Sequence, residues 1–152
     1  MRDAQRIQKQ EEENYLRAVE IFNDILKGKH PQCTPMPEFS VSDMRMQVGS
    51  NKYNIELKSR STEIYLYNEQ PIKIKKLINL RKDTKDDESL LYMAIVENGD
   101  WYLWNLDIVD WCNTRMDNMR SLKQQYSIGG SYYTEEPCYF LPLDTAILSH
   151  KS

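Results

Sequence analysis

The stretch Tyr53-Asn54-Ile55-Glu56-Leu57-Lys58, YNIELK, decides how the chain is read. Side chains alternate along a β-strand, so Tyr53, Ile55 and Leu57 share one face while Asn54, Glu56 and Lys58 share the other. The pattern predicts a strand whose apolar face meets a core and whose polar face carries a carboxylate and an ammonium two residues apart.

The residues before it form a partner strand. Between Glu38 and Val48, Met44, Met46 and Val48 alternate with Asp43, Arg45 and Gln47. Gly49-Ser50 then supplies a two-residue turn, with Gly at the first central position of a type II′ hairpin, where φ is positive. Counting out from that turn pairs Val48 with Asn51, Met46 with Tyr53 and Met44 with Ile55. Asp43 then falls opposite Glu56, and the apolar residues of both strands agree on one face, as a correct register requires. Directly opposed side chains have Cβ atoms about 4.5–5.5 Å apart. Two carboxylates that close repel unless one holds a proton or a divalent cation lies between them. Oxygen ligands in this arrangement suit Mg²⁺ or Mn²⁺ with several waters retained, and Lys58 on the same face is placed to neutralise charge or handle a proton. The alternative is a solvated outer face on which Asp43, Arg45, Glu56 and Lys58 are ordinary surface charges.

Further out, residues 3 to 28 place Tyr15, Leu16, Val19, Phe22 and Leu26 at helical spacing and end at Gly28, which predicts an amphipathic helix. HPQCTPMP, residues 30 to 37, holds three prolines and reads as an irregular connection. IYLY, residues 64 to 67, is a short strand or a packed loop. Pro71 suits the first turn of a helix running to Arg81, with Ile74, Leu77 and Ile78 facing the core. LLYMAIVE, residues 90 to 97, is a strongly apolar strand joined by a type I′ Asn98-Gly99 turn to WYLWNL, residues 101 to 106. A short helix over residues 107 to 117, a loop around SIGGSYY and a last strand, CYFLPL, with Pro142 suggesting an edge, complete the chain.

The architecture expected is α/β, bordering on α+β, with a single mixed β-sheet flanked by helices. The 152 residues read as one domain: an N-terminal helix over 1–28, a core over 38–106 and a C-terminal extension over 107–152. Aromatic residues make up 11% of the chain, with ten Tyr and three Trp, enough to argue for a folded core even though charged residues reach 28%. Trp101, Trp104 and Trp111 are assigned to the core or an interface. Cys33, Cys112 and Cys138 are odd in number and widely spaced, which fits neither a metal knuckle nor a disulfide framework. A charged N-terminus and no apolar run of spanning length give the expectation of a cytoplasmic protein with no membrane partner. The net charge of −3 means that any hold on nucleic acid rests on local basic clusters. Neither His30 nor His150 has a partner at catalytic or metal spacing, and no Gly-rich phosphate loop or Walker sequence occurs, so no nucleotide cofactor is expected.

Taken together, a helix, an Asp43-bearing strand, a hairpin, Glu56-x-Lys58 and then a helix and apolar strand resemble the PD-(D/E)XK, or restriction-endonuclease-like, nuclease superfamily with its αβββαβ core. The resemblance covers roughly residues 10 to 106. It implies a metal-dependent nuclease that hydrolyses phosphodiester bonds, with DNA favoured. Asp43 and Glu56 would be ligands of Mg²⁺ or Mn²⁺, the Leu57 carbonyl a third ligand, and Lys58 the residue that orients or deprotonates the attacking water. Some members add a glutamate from the first helix, for which Glu20 is the candidate, with Glu12 behind it. Ser42 stands where the motif's proline would be, no QxxxY follows Lys58, and three cysteines cannot hold a four-cysteine iron–sulfur cluster, so the branches with those features are disfavoured.

Arg60, Lys73 and Lys76 are the candidate phosphate contacts, set against the alternative that Asp83, Asp86, Asp87 and Glu88 offset this basic stretch. Ser59 to Thr62 and a flap carrying Tyr132 and Tyr133 are further candidates beside the plainer readings of polar loop and loop tip. A homodimer would suit two-strand substrates. The reading from another class is a catalytically inactive nuclease-fold module that binds protein or nucleic acid in a regulatory role.

Overall fold

The computed structural model describes residues 2–125 and 130–152, and side chains over 5–119 and 135–152. The elements run α1 (Arg2–Ile25), β1 (Gln32–Pro35), β2 (Met44–Val48), β3 (Asn51–Arg60), α2 (Ile64–Tyr67), β4 (Glu69–Lys73), α3 (Ile74–Asp83), β5 (Glu88–Val96), β6 (Trp101–Asn105), β7 (Arg115–Gln125), β8 (Gly130–Pro142) and β9 (Leu148–His150), with 3-10 turns at Trp111–Asn113 and Leu143–Thr145. They form an α/β protein built on a six-stranded mixed sheet in the order β1-β2-β3-β5-β6-β9. Its one parallel pair is β3 with β5, the connection that needs a crossover, and α2, β4 and α3 supply it.

The YNIELK strand pairs as the turn dictates. Val48 faces Asn51, Met46 faces Tyr53 and Met44 faces Ile55, and Gly49 takes a φ of +60°. The second hairpin differs from a type I′ turn. Ile95 pairs with Trp101, so Glu97, Asn98 and Gly99 form a three-residue loop, and among them only Gly99 has positive φ, at +97°. This is the turn-plus-bulge connection, closed by Gly99 N–H donating to the Val96 carbonyl at 2.9 Å.

Both faces of the main sheet are covered. On one, Ala18, Ile21 and Phe22 of α1 pack on Met44, Ile55, Leu57, Met93 and Leu103. On the other, Leu77 and Leu80 of α3, with Ile72 and Leu141, pack on Leu90, Tyr92 and Trp104. Strand β5 is buried from Leu90 onward on both sides, the run of apolar residues expected of a doubly covered strand. The polar face of β3 is therefore enclosed at Asn54 and Glu56, 0% and 6% exposed, and opens to solvent at Lys58.

A second sheet, β4-β8-β7, accounts for most other departures from the sequence expectations. Pro71 lies inside β4, where it pairs with Phe140, and α3 begins at Ile74; Leu77 and Leu80 face inward while Ile78 is exposed. Helical spacing around Pro71 misled because strand pairing to β8 captured these residues first. IYLY is one turn of helix, and the helix expected over 107–117 is reduced to the 3-10 turn before β7. β8 is the central strand of its sheet rather than an edge, which its Pro142 tolerates by being the last residue. Leu16, placed on the apolar stripe of α1, is exposed, and Ala18 and Ile21 fill that stripe. The main sheet also takes strands from outside 38–106: β1 pairs with β2, and β9 returns to pair with β6. The three cysteines are free. Among the described residues no helix is long and apolar enough to cross a membrane. The flap expected at Tyr132 and Tyr133 concerns side chains outside the described residues.

Candidate active site

The site forms where β3 runs past the end of β2. The ladder stops at Met44 and Ile55, and Asp43, one residue beyond, donates its N–H to the Ile55 carbonyl at 3.1 Å. Its carboxylate accepts the Leu57 N–H at 2.7 Å. The N–H and C=O of one strand residue point the same way, so the Leu57 carbonyl is directed to the same open edge, beside Asp43.

The Asp43 and Glu56 carboxyl groups lie close enough to act on each other directly. Burial, then the neighbouring Asp43, push the Glu56 carboxyl up to about 8, while Lys76 works in the opposite direction. Lys76 stands 2.8 Å from Glu56 Oε2 and donates to the Val41 carbonyl at 2.6 Å. The cation paired with Glu56 is thus Lys76 of α3, not Lys58. Lys58, two residues along, loses proton affinity through burial first and then through Arg60, against the pull of Glu56.

Asp43, Glu56, Leu57, Lys58 and Lys76 line one cavity of about 370 Å³, together with Gln10, Glu11 and Asn14 of α1. The helix is fastened there: Ser59 Oγ donates to Asn14 Oδ1 at 2.8 Å and accepts from Gln10 Nε2 at 3.3 Å. Ser59 therefore ties α1 to β3. The glutamate that α1 presents to the site is Glu11. Glu20 lies nine residues further on, roughly 13 Å along a helix at 1.5 Å per residue, and pairs with Arg17 at 3.2 Å. Glu12 and Glu11 line a neighbouring groove that Asp43 also borders.

On the other side of Glu56, a second cavity of about 410 Å³ is lined by Lys58, Arg60, Lys73 and Lys76. The acids expected to offset these cations are engaged elsewhere: Asp87 pairs with Lys52 at 3.0 Å, and Glu88 and Asp83 pair with Arg45 at 2.8 and 3.4 Å. Lys73 pairs with Glu136 at 3.4 Å. The structure thus brings Asp43, Glu56, Leu57, Lys58, Arg60, Lys73 and Lys76 together and leaves Glu20 apart. What the sequence reading missed is the role of Glu11 and the bond from Lys76 to Glu56. The second depends on a contact between β3 and a helix, which no spacing along the chain encodes.

Among the described residues no group of three His, Cys, Asp or Glu side chains is placed to hold a metal ion. Two carboxylates and one carbonyl nonetheless form a donor set of hard oxygens, and such sets hold Mg²⁺ with several of its waters retained. The upward push that Asp43 exerts on the Glu56 carboxyl marks the like-charge crowding that a divalent cation relieves.

The α/β fold is shared along nearly the whole chain with a solved structure, and that neighbour is a restriction-endonuclease-like PD-(D/E)XK nuclease. That structure is Hjc, a Holliday junction resolvase from the archaeal hyperthermophile Archaeoglobus fulgidus; the TM-score is 0.51, the identity 11%, and 91% of each chain is covered. No protein-family model and no curated protein matches the chain.

Proposed function

We propose that this chain is a metal-dependent nuclease that hydrolyses phosphodiester bonds in DNA. The observation that carries the reading is that Asp43, Glu56, Leu57 and Lys58 line one cavity at the open end of β3, with the Asp43 carboxylate accepting the Leu57 N–H at 2.7 Å. Asp43, Glu56 and the Leu57 carbonyl would hold Mg²⁺ or Mn²⁺. When bound, such an ion polarises a phosphoryl oxygen and lowers the pKa of a coordinated water. Lys58 orients the attacking water or takes its proton, a role suited to an ammonium whose proton affinity burial has lowered. Arg60, Lys73 and Lys76 hold phosphates of the strand. A homodimer would bring two such sites to a two-stranded substrate.

A second reading, a nuclease fold kept as a binding module without catalysis, is favoured by one observation: Glu56 already has a protein cation, Lys76, at 2.8 Å. Calorimetric titration of Mn²⁺ and Mg²⁺ into wild type and Glu56→Gln separates the two. Supercoiled plasmid, labelled single strands and a four-way DNA junction are incubated in the same buffers, the junction because the solved neighbour is a Holliday junction resolvase. Metal binding and cleavage, both lost in Glu56→Gln, support the nuclease. No metal-dependent difference between the two proteins favours the binding module.

A further inference from the structure

Arg60 is held by a buried polar chain that the nuclease reading does not require. Its Nε donates to Gln70 Oε1 at 2.8 Å. Gln70 is 0% exposed, and its amide nitrogen donates to the Tyr92 hydroxyl at 3.0 Å and to the Pro71 carbonyl at 2.9 Å. Tyr92 is itself 3% exposed, packed beside Trp104 with ring centroids 6.2 Å apart.

An unpartnered amide in an apolar core is destabilising, and a leucine would occupy the position without that risk. Here the amide is satisfied, and the outward end of the network is a guanidinium at the wall of a cavity. Of its five N–H donors, the Nε–H given to Gln70 orients the fork, and the rest remain for a ligand. The same cavity wall carries Lys58, Lys73 and Lys76 beside one carboxylate, Glu56; Lys76 pairs with Glu56 and Lys73 with Glu136, which leaves Lys58 and Arg60 as the cations without a carboxylate partner at salt-bridge distance among the described residues. A planar, pre-oriented guanidinium among ammonium groups is the chemistry that recognises a phosphoryl group.

We propose that the cavity between β3 and β4 is a phosphate subsite in which Arg60 is the directing arm, and that Gln70 and Tyr92 are positioning residues acting through it. The subsite rests on the nuclease reading for its neighbour: Lys58 and Lys76 form the wall it shares with the Asp43–Glu56 cavity, so the phosphate held here belongs to a nucleotide flanking the bond to be cut. Two sources supply that chemistry, an internal phosphodiester of a continuing strand or a phosphate at a strand end.

Fluorescence anisotropy with labelled oligonucleotides, one 5′-phosphorylated and one 5′-hydroxyl, in EDTA and over a range of salt, measures the subsite without metal or cleavage. Arg60→Ala is expected to weaken binding about tenfold and to reduce the slope of log affinity against log salt by about one. Gln70→Met keeps every cation in place; it is expected to weaken binding about threefold, and to add nothing when combined with Arg60→Ala, which a merely structural role would not produce. Arg60→Lys keeps the charge and loses the fork, so it should resemble Arg60→Ala and keeps the test open if Gln70→Met fails to fold. A loss confined to the phosphorylated strand assigns the ligand as a strand end, and an equal loss on both assigns an internal phosphate. Unchanged affinity and salt slope in Arg60→Ala overturn the subsite. If those effects appear but wild type with Mn²⁺ cuts nothing, the subsite stands and the nuclease reading fails; if wild type cuts and Arg60→Ala binds and cuts equally well, the reverse holds.

Discussion

Lys76 of α3 lies 2.8 Å from Glu56 Oε2 of β3 and 2.6 Å from the Val41 carbonyl, so one ammonium joins the helix, the strand and the loop before β2. The bond crosses from the main sheet to the layer that covers it, and the charge state of a nearly buried carboxyl depends on it.

Lys76→Met removes the cation that lowers the proton affinity of Glu56. Loss of the Val41 bond should cost about 1 kcal/mol at every pH. A further loss should appear only above pH 8, where wild-type Glu56 is ionised and the variant would have to ionise it unpaired. Thermal melting at pH 5 and pH 9 checks this: the deficit relative to wild type should be clearly larger at pH 9.

Glu56 itself sets a pH dependence. Its folded-state value of about 8 lies above the ordinary 4.5, so the folded protein holds a proton that the unfolded chain has lost. The contribution of this group in metal-free buffer should therefore be full below 4.5 and fall between 4.5 and 8, at up to about 1.4 kcal/mol per pH unit. Glu56→Gln should flatten that fall and melt higher than wild type at pH 9. Denaturant titrations across the window measure both, and a wild-type curve that rises through it would contradict the burial argument.

The two glutamates of α1 should behave differently. Glu11 borders the Asp43–Glu56 cavity, whereas Glu20 is paired with Arg17. Glu11→Gln is expected to weaken Mn²⁺ binding several-fold by calorimetry, and Glu20→Gln to leave it unchanged.

Arg45 anchors the opposite end of β3. It pairs with Glu88, whose side chain is 6% exposed, and donates to the Asp83 carbonyl and the Ser42 hydroxyl at 3.0 and 3.1 Å. Burial works against charge on Glu88, but the Arg45 bond and the Lys85 amide outweigh it and hold the carboxyl below its usual range. Arg45→Met should cost about 1–3 kcal/mol at pH 7, because it leaves the Glu88 carboxylate with only the Lys85 amide to hold it. A carboxyl held low stabilises above its unfolded value of 4.5 and ceases to do so as pH falls through the lowered folded value. The gap between wild type and variant, followed by urea denaturation, should narrow below pH 4.5.

The hairpin that creates the site was legible in the sequence because its information is local. A two-residue turn at Gly49-Ser50 fixes which residues oppose one another, and the alternation of Met44, Met46, Tyr53 and Ile55 admits one register. That placed Asp43 beside Glu56 and Lys58 before any coordinates. The amphipathic stripe of α1 and the apolar run of β5 were legible for the same reason, since each declares its period within a few turns or residues.

Only the tertiary structure decided what surrounds those residues. Residues 69–73 form a strand and not the start of a helix because β8, far along the chain, pairs with them. Glu56 is enclosed and not solvated because that second sheet and α3 close over its face. Lys76 reaches Glu56, Gln70 holds Arg60 and Glu11 faces the cavity through packing between elements whose separation in sequence carries no signal. Local patterning set the carboxylates in place, and long-range burial raised the proton affinity of Glu56.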